Sequence, residues 1–337
     1  MFSYYLIEPG ILDLRELKKP EPDYGEVLVR IKAALTCGTD LKAYLRGHPM
    51  IPMPGVFGHE FSGIIEKIGK GVRNFKIGDE IMAVHSAPCH KCIYCKKRFY
   101  NLCENIMKTK VLGAFSEYIL LPAHIVKENL FHKPSNISFE EAAFLEPLSC
   151  VVHSIKKVDI KKGDVVLIIG AGPIGLLHIS LTKLKGAKVI VTALEPERLK
   201  LAESLGADKA IPPSEVDKTI ENLTEGIGVD FVFECTGQLS VWESAINYVR
   251  KGGTIILFGG VKSGTKVSYD TYRLHYDEIT LKGVFHFTPQ DVKEAYKLLK
   301  DTISVTPLIS GTFSLKDLPT ALEKLSQGEG IKYAIIP

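Results

Sequence analysis

Cys89, Cys92, Cys95 and Cys103 follow a C-x2-C-x2-C-x7-C spacing within one short stretch. Four thiolates placed so closely can complete a tetrahedron around Zn²⁺ and leave no coordination position open, as structural zinc sites do. An iron–sulfur cluster also takes sets of four cysteines and is the chemical rival. A zinc ribbon for nucleic acid is a third reading, but only Lys96, Lys97 and Arg98 would serve it. The spacing favours a structural zinc loop. The other cysteines are Cys37, Cys150 and Cys235, and a total of seven in a long chain argues against a disulfide framework.

A second group of metal-competent residues lies on either side of that loop. Cys37-Gly38-Thr39-Asp40 and Gly58-His59-Glu60-x-x-Gly63 contribute a thiol, an imidazole and a carboxylate, and Glu146-Pro147-Leu148 adds another carboxylate. A catalytic zinc takes about three protein ligands and keeps a position open for water or substrate. Taken singly, Cys37 reads as a small buried hydrophobe, His59 as a bonded core residue and Glu146 as a charge at a helix start. Their company reverses that balance.

Gly170-Ala171-Gly172-Pro173-Ile174-Gly175 matches G-x-G-x-x-G, directly after the apolar run Val165–Gly170 and at the start of a helical pattern. The first glycine permits the tight turn, the second lets the backbone approach a pyrophosphate, and the third lets helix and strand pack closely. Free N–H groups at the helix start then face the phosphates. An acid is expected at the tip of the next strand to bind the ribose 2′-hydroxyl. Ala193 stands there instead, with Glu195 two residues on. Glu195 could reach the hydroxyl and repel a 2′-phosphate, whereas Arg198 and Lys200 could hold that phosphate or be solvated helix charges. The reading leans to NAD, with NADP open.

These residues need elements to hold them. The chain to about Ser138 is rich in strands and loops, including Glu26–Lys32, Phe61–Ile68 and Asp79–Val84. From about Lys161 the runs 165–170, 188–193, 229–235 and 253–259 are continuous apolar strands, alternating with helical patterns at Ile174–Lys185 and Pro196–Leu205. Such alternation implies an α/β, doubly wound parallel sheet covered on both faces. Two helices, Gln290–Leu299 and Leu315–Leu325, and a strand, Ile331–Ile336, close the chain.

The order of CGTD (37–40), GHEFSG (58–63), GVRNFKIGDEI (71–81), the four-cysteine loop with RFYNLC (98–103), EPL (146–148) and GAGPIG (170–175) resembles the zinc-containing medium-chain dehydrogenase/reductase superfamily, particularly its polyol and threonine dehydrogenase branch. The resemblance covers nearly the whole chain. It implies a Rossmann sheet at 146–288 inserted in a GroES-like β-barrel catalytic domain, 1–145 completed by 289–337. It implies two zinc ions per chain: a catalytic one on Cys37 and His59, and a structural one on Cys89, Cys92, Cys95 and Cys103. Glu60 would bind the catalytic zinc directly or by exchange, and Glu146 directly or through water. Thr39 would relay the alcohol proton. The cofactor would lie on Gly170, Gly172, Pro173, Ile174 and Gly175, with Ala193, Glu195 and Arg198 at its adenosine end. The expected reaction is hydride transfer between a secondary alcohol and NAD(P), and a homodimer or homotetramer is the expected assembly.

Substrate identity is where the chain departs from its relatives. Sorbitol dehydrogenases follow the strand ending GVF with an Arg-Tyr pair, whereas His286-Phe287 stand here. After CGTD come Lys42, Tyr44, Arg46 and His48, which could face a hydroxyl-rich or anionic substrate such as a sugar phosphate, or be surface charge. A simple alcohol dehydrogenase and a non-catalytic cofactor-binding protein are the rival readings. A net charge of +3 over 337 residues gives no reason to expect a nucleic-acid partner. No apolar run reaches the roughly 20 residues of a membrane helix, and Met1–Lys18 does not read as a signal peptide, so the cytoplasm is the expected location.

Overall fold

The computed structural model describes residues 1–337, which form two compact units. One is built from both ends of the chain, Met1–Ser149 and Phe287–Pro337; the other is Cys150–His286.

The first unit is held by a mostly antiparallel sheet. Its strands run in the order Ile309–Ser314, Lys332–Ile336, Val27–Leu35, Phe61–Ile68, Glu80–Ala83 and Leu130–His132, with Tyr118–Leu121 also paired to Val27–Leu35. The last strand of the chain is thus laid beside one of the first, with Ala334 opposite Leu35. Val27–Leu35 is buried along most of its length, as expected for the central strand of a closed core. Val29, Ile31, Phe57, Phe61, Ile65, Phe115 and Ile335 fill that core. The strands Phe2–Glu8 and Ile11–Glu16 form a separate small sheet with Gly55–Val56, which the sequence did not suggest. No residue of Ile11–Glu16 is fully buried and Phe2–Glu8 buries Ser3 next to Tyr4, so their apolar periodicity is faint.

The second unit is a six-stranded, wholly parallel sheet. Its order is Lys209–Ile211, Lys188–Thr192, Val165–Ile169, Val229–Glu234, Val249–Leu257 and Thr280–Gly283, or 3-2-1-4-5-6 in chain order. All five residues of Val165–Ile169 are buried, which is why that strand reads as one apolar run. The strand expected over 253–259 begins earlier, at Val249. There Val249 pairs with Val229 and the Arg250 guanidinium bonds Asp230 at 2.7 Å. The helices Pro173–Leu184 and Pro196–Ser204 fall where the sequence places them, each with proline in its first turn.

Candidate active site and metal centres

Cys37 sits at the N-cap of the helix Gly38–Arg46, and its sulfur accepts the Thr39 N–H at 3.4 Å. The sulfur thus stands at the positive end of the helix. His59 and Glu60 lie just before the strand Phe61–Ile68. The turn into them passes through Gly58 at φ +85°, where a Cβ would lie 2.7 Å from the Phe115 ring. Only glycine fits that bend. The Cys37 sulfur, a His59 nitrogen and a Glu60 oxygen all lie within 4.8 Å of one another.

Three further groups surround this cluster. Asp40, fully buried in the first turn of the same helix, lies 3.2 Å from His59 Nδ1 and leaves Nε2 for a metal. Burial works against a charged His59 ring, yet Asp40 and Cys37 outweigh it and hold its pKa well above the ordinary value. Lys332, 1% exposed, donates to the Thr36 carbonyl at 2.7 Å and to Glu60 Oε2. Glu60 Oε1 is buried with no hydrogen-bond partner. An orphaned carboxylate oxygen beside a thiol and an imidazole is a donor set that fits zinc.

Glu146 opens the helix Leu145–Ile155 and stands 3.5 Å from His85 Nδ1. Burial first, and the neighbouring Glu60 among the charges, push its pKa up to about 7, against the pull of His59. The His85 ring meets His59 edge to face at 5.1 Å and Phe287 at 6.0 Å. Cys37, His59 and Glu60 are therefore brought together, Glu146 stands beside them against His85, and Thr39 is half-buried two residues from Cys37. Phe287 is a buried wall residue beside His85, and His286 ends the second unit in a left-handed conformation, stacked on Phe285. Tyr44 packs on the core, Arg46 is exposed, and Lys42 and His48 are half-buried.

The sulfurs of Cys89, Cys92, Cys95 and Cys103 form their own cluster within 4.8 Å, and none is in a disulfide. Backbone N–H groups of Lys91 and Cys92 point at the Cys89 sulfur. The Lys91 bond, with the Asn105 side chain, brings the Cys89 pKa down to about 6. Burial and the neighbouring thiols push Cys95 up to about 12. The donor set fits a closed, four-thiolate zinc site, in which the cation would hold all four deprotonated.

In the second unit, the strand Val165–Ile169 turns at Gly170 into the helix Pro173–Leu184. A Cβ on Gly175 would lie 1.8 Å from the Gly170 carbonyl oxygen, so helix and turn touch backbone to backbone. A Cβ on Gly172, the N-cap, would meet nothing within 4 Å. That open cradle at a helix N-terminus fits a pyrophosphate. Ala193 is buried at the strand tip, Glu195 is exposed, and Arg198 Nε lies 4.0 Å from the Glu195 carboxylate.

Sequence reasoning missed Asp40, His85, Lys332 and, in the second unit, Glu234, whose buried carboxylate accepts from Thr236 N–H at 2.7 Å and fixes the loop beside Gly170. A usable signal was present. Lys332 and Glu234 are charges inside apolar strand runs, where an unpaired charge would not be tolerated.

Residues 23–131 match the alcohol dehydrogenase GroES-like domain and residues 173–301 the zinc-binding dehydrogenase family. The chain is 34% identical to a sorbitol dehydrogenase of Halalkalibacterium halodurans, over 95% of this chain and 94% of that protein. It is 32% identical to a D-arabitol-phosphate dehydrogenase of Enterococcus avium, over 95% and 92% of the two chains. A structure from Sinorhizobium meliloti 1021, described as a zinc-binding dehydrogenase bound to NADP, superposes with a TM-score of 0.90 at 30% identity, covering 100% of this chain and 99% of that one. The chain belongs to the zinc-containing medium-chain dehydrogenase/reductase superfamily, in its polyol dehydrogenase branch, and is an NAD(P)-dependent oxidoreductase acting on CH–OH groups.

Proposed function

We propose that this protein oxidises a secondary alcohol of a polyol or related polar substrate, or reduces the matching ketone, at a zinc held by Cys37, His59 and a carboxylate. The observation that carries this reading is the convergence of the Cys37, His59 and Glu60 donor atoms within 4.8 Å of one another, with Glu60 Oε1 buried and unpartnered. Zinc held there would supply Lewis acidity toward an alcohol oxygen, and NAD(P) on the Gly170–Gly175 turn would serve as the hydride acceptor. Asp40 fixes the His59 ring and its tautomer. Lys332 grips Glu60 Oε2 and leaves Oε1 buried without a hydrogen-bond partner. Glu146, held beside His85, is the alternate carboxylate for the site. The Thr39 hydroxyl would relay the alcohol proton, accepting it while passing its own on toward the cofactor ribose and solvent.

Cys89, Cys92, Cys95 and Cys103 hold a second, structural zinc under this reading. NAD is the proposed cofactor, because the Glu195 carboxylate stands beside Arg198 and repels a 2′-phosphate; the NADP in the Sinorhizobium relative makes that choice one to measure. The dinucleotide domain is taken as 146–288, with 1–145 and 289–337 as the catalytic domain, in a cytoplasmic homodimer or homotetramer. Metal analysis and nicotinamide absorbance with a panel of polyols test the proposal together. Two zinc per chain and turnover of a secondary alcohol are expected. One zinc per chain with no turnover would sink it.

A further inference from the structure

Three cationic side chains and an imidazole gather near the Cys37, His59 and Glu60 cluster without belonging to it. Lys42 and Arg46 lie one turn apart on the helix Gly38–Arg46, and His48 follows its Gly47 cap. Lys110 enters from the segment after the four-cysteine loop and donates its ammonium to the Met50 carbonyl. His48 ties the group together. Burial first, then the charges of Lys42, Lys110 and Arg46, push its pKa down, with Asp40 opposing them. Asp40, on the same helix as Lys42 and Arg46, lies 3.2 Å from His59 Nδ1 and so ties the cation-bearing helix to the proposed metal ligands.

The arrangement is built rather than splayed over the surface. His48 and Ile51 form a backbone bridge, and Ile51 is 3% exposed in the core, which anchors the turn that carries His48 and Met50. Lys110 and His48 are both half-buried. The hydrogen bonds they make are to neutral groups: the Met50 carbonyl for Lys110, and the Met50 N–H, which donates to His48 Nδ1 at 3.3 Å. Because Nδ1 accepts, a neutral His48 ring carries its proton on Nε2 and remains a donor. Asp40, the carboxylate on the same helix as Lys42 and Arg46, is fully buried and bonded to His59. Like charges gathered in a partly dry place oppose folding, and a half-buried ammonium against a carbonyl is poorly compensated. An incoming dianion reverses both effects, and Arg and Lys are the side chains that bind phosphate through charge-assisted bonds.

We propose that Lys42, Arg46, His48 and Lys110 receive the phosphate of a phosphorylated polyol whose reacting hydroxyl lies at the Cys37, His59 and Glu60 centre. This rests on the oxidoreductase reading above and narrows its substrate class to phosphomonoesters of open-chain polyols.

The zinc-loaded enzyme is assayed with sorbitol, arabitol and galactitol and with their terminal phosphates, using NAD and NADP side by side. The expected kcat/KM for a phosphate ester exceeds that for its parent polyol by about 100-fold, as two charge-assisted contacts allow. In Arg46→Met and Lys110→Met that ratio falls by about tenfold each, mainly through KM, and Lys110→Arg recovers most of it. Inorganic phosphate, titrated calorimetrically with saturating NADP to fill the cofactor's own phosphate positions, binds wild type more tightly than Lys110→Met. Oxidation of free polyols with no gain from phosphorylation would overturn the phosphate site and leave the oxidoreductase reading standing. A phosphate preference untouched by the variants would overturn the residue assignment. If no polyol or ester turns over but phosphate binding still depends on Lys110, the oxidoreductase reading fails and the anion site survives.

Discussion

The buried ammonium of Lys332 bonds the buried carboxylate of Glu60 across 272 residues of sequence, beside Cys37 and His59. The same ammonium holds the Thr36 carbonyl, and the Tyr333 N–H bonds the Thr36 hydroxyl at 2.9 Å. The last strand therefore closes the sheet and supplies the counter-charge for a candidate zinc ligand in one step. Removing one partner of such a pair leaves an uncompensated buried charge, which costs about 3–5 kcal/mol. Lys332→Met is expected to lose that much stability in urea denaturation, and Glu60→Gln/Lys332→Met to recover part of it. Additive losses in the double variant would show that the two groups do not act as a pair.

Cys37→Ala and His59→Ala should each lower kcat/KM by about a thousandfold or more, the several kcal/mol of Lewis-acid stabilisation expressed as rate. Zinc content should fall from two to one per chain while far-ultraviolet circular dichroism stays close to wild type. Near-normal turnover in either variant would remove both residues from the mechanism.

The four-cysteine loop should fail differently. Cys103→Ala should also bind one zinc fewer, but with a lower melting temperature and only a modest change in kcat. Zinc-free protein should release protons on taking up this zinc, because Cys95 is pushed up to about 12 and must ionise to bind. Iron with visible absorption in the purified protein would point instead to a cluster.

Glu195 and Arg198 are expected to decide the cofactor. With the Glu195 carboxylate 4.0 Å away, Arg198 already has an anionic neighbour. Glu195→Ser should raise the NADP-to-NAD ratio of kcat/KM by about tenfold or more, since the carboxylate that repels a 2′-phosphate is then gone. An unchanged ratio would place the 2′-position elsewhere.

His178 makes the nucleotide unit acid-sensitive. It is fully buried; its Nδ1–H donates to the Ile174 carbonyl at 2.8 Å and its Nε2 accepts from Ser154 at 2.9 Å. Burial brings its pKa down to about 4, with the Ile174 bond opposing the shift. An unfolded histidine takes up its proton near pH 6.5, the folded one only near 4, so this contribution is complete above 6.5 and is lost as pH falls between the two. The gap corresponds to about 3 kcal/mol. Denaturation midpoints at pH 7.5 and 5 should converge in His178→Gln relative to wild type, and an equal acid loss in both would rule the histidine out.

The chemistry of this protein was legible wherever it follows local spacing. The four cysteines lie within fifteen residues, and the glycine fingerprint follows an apolar strand, so one loop and one turn bring their atoms together. The parallel strands were legible too, because burial on both faces leaves continuous apolar runs. Cys37, His59 and Glu146 could be grouped only through family resemblance, since nothing in their separation along the chain implies contact. Tertiary structure alone decided which charges are paired. Asp40 against His59, His85 against Glu146 and Lys332 against Glu60 each depend on long-range strand register or helix placement. The same holds for Lys110, which reaches His48 and Met50 from sixty residues away. A charged side chain carries no mark of its partner in sequence; only the folded backbone determines whether water or a counter-charge satisfies it.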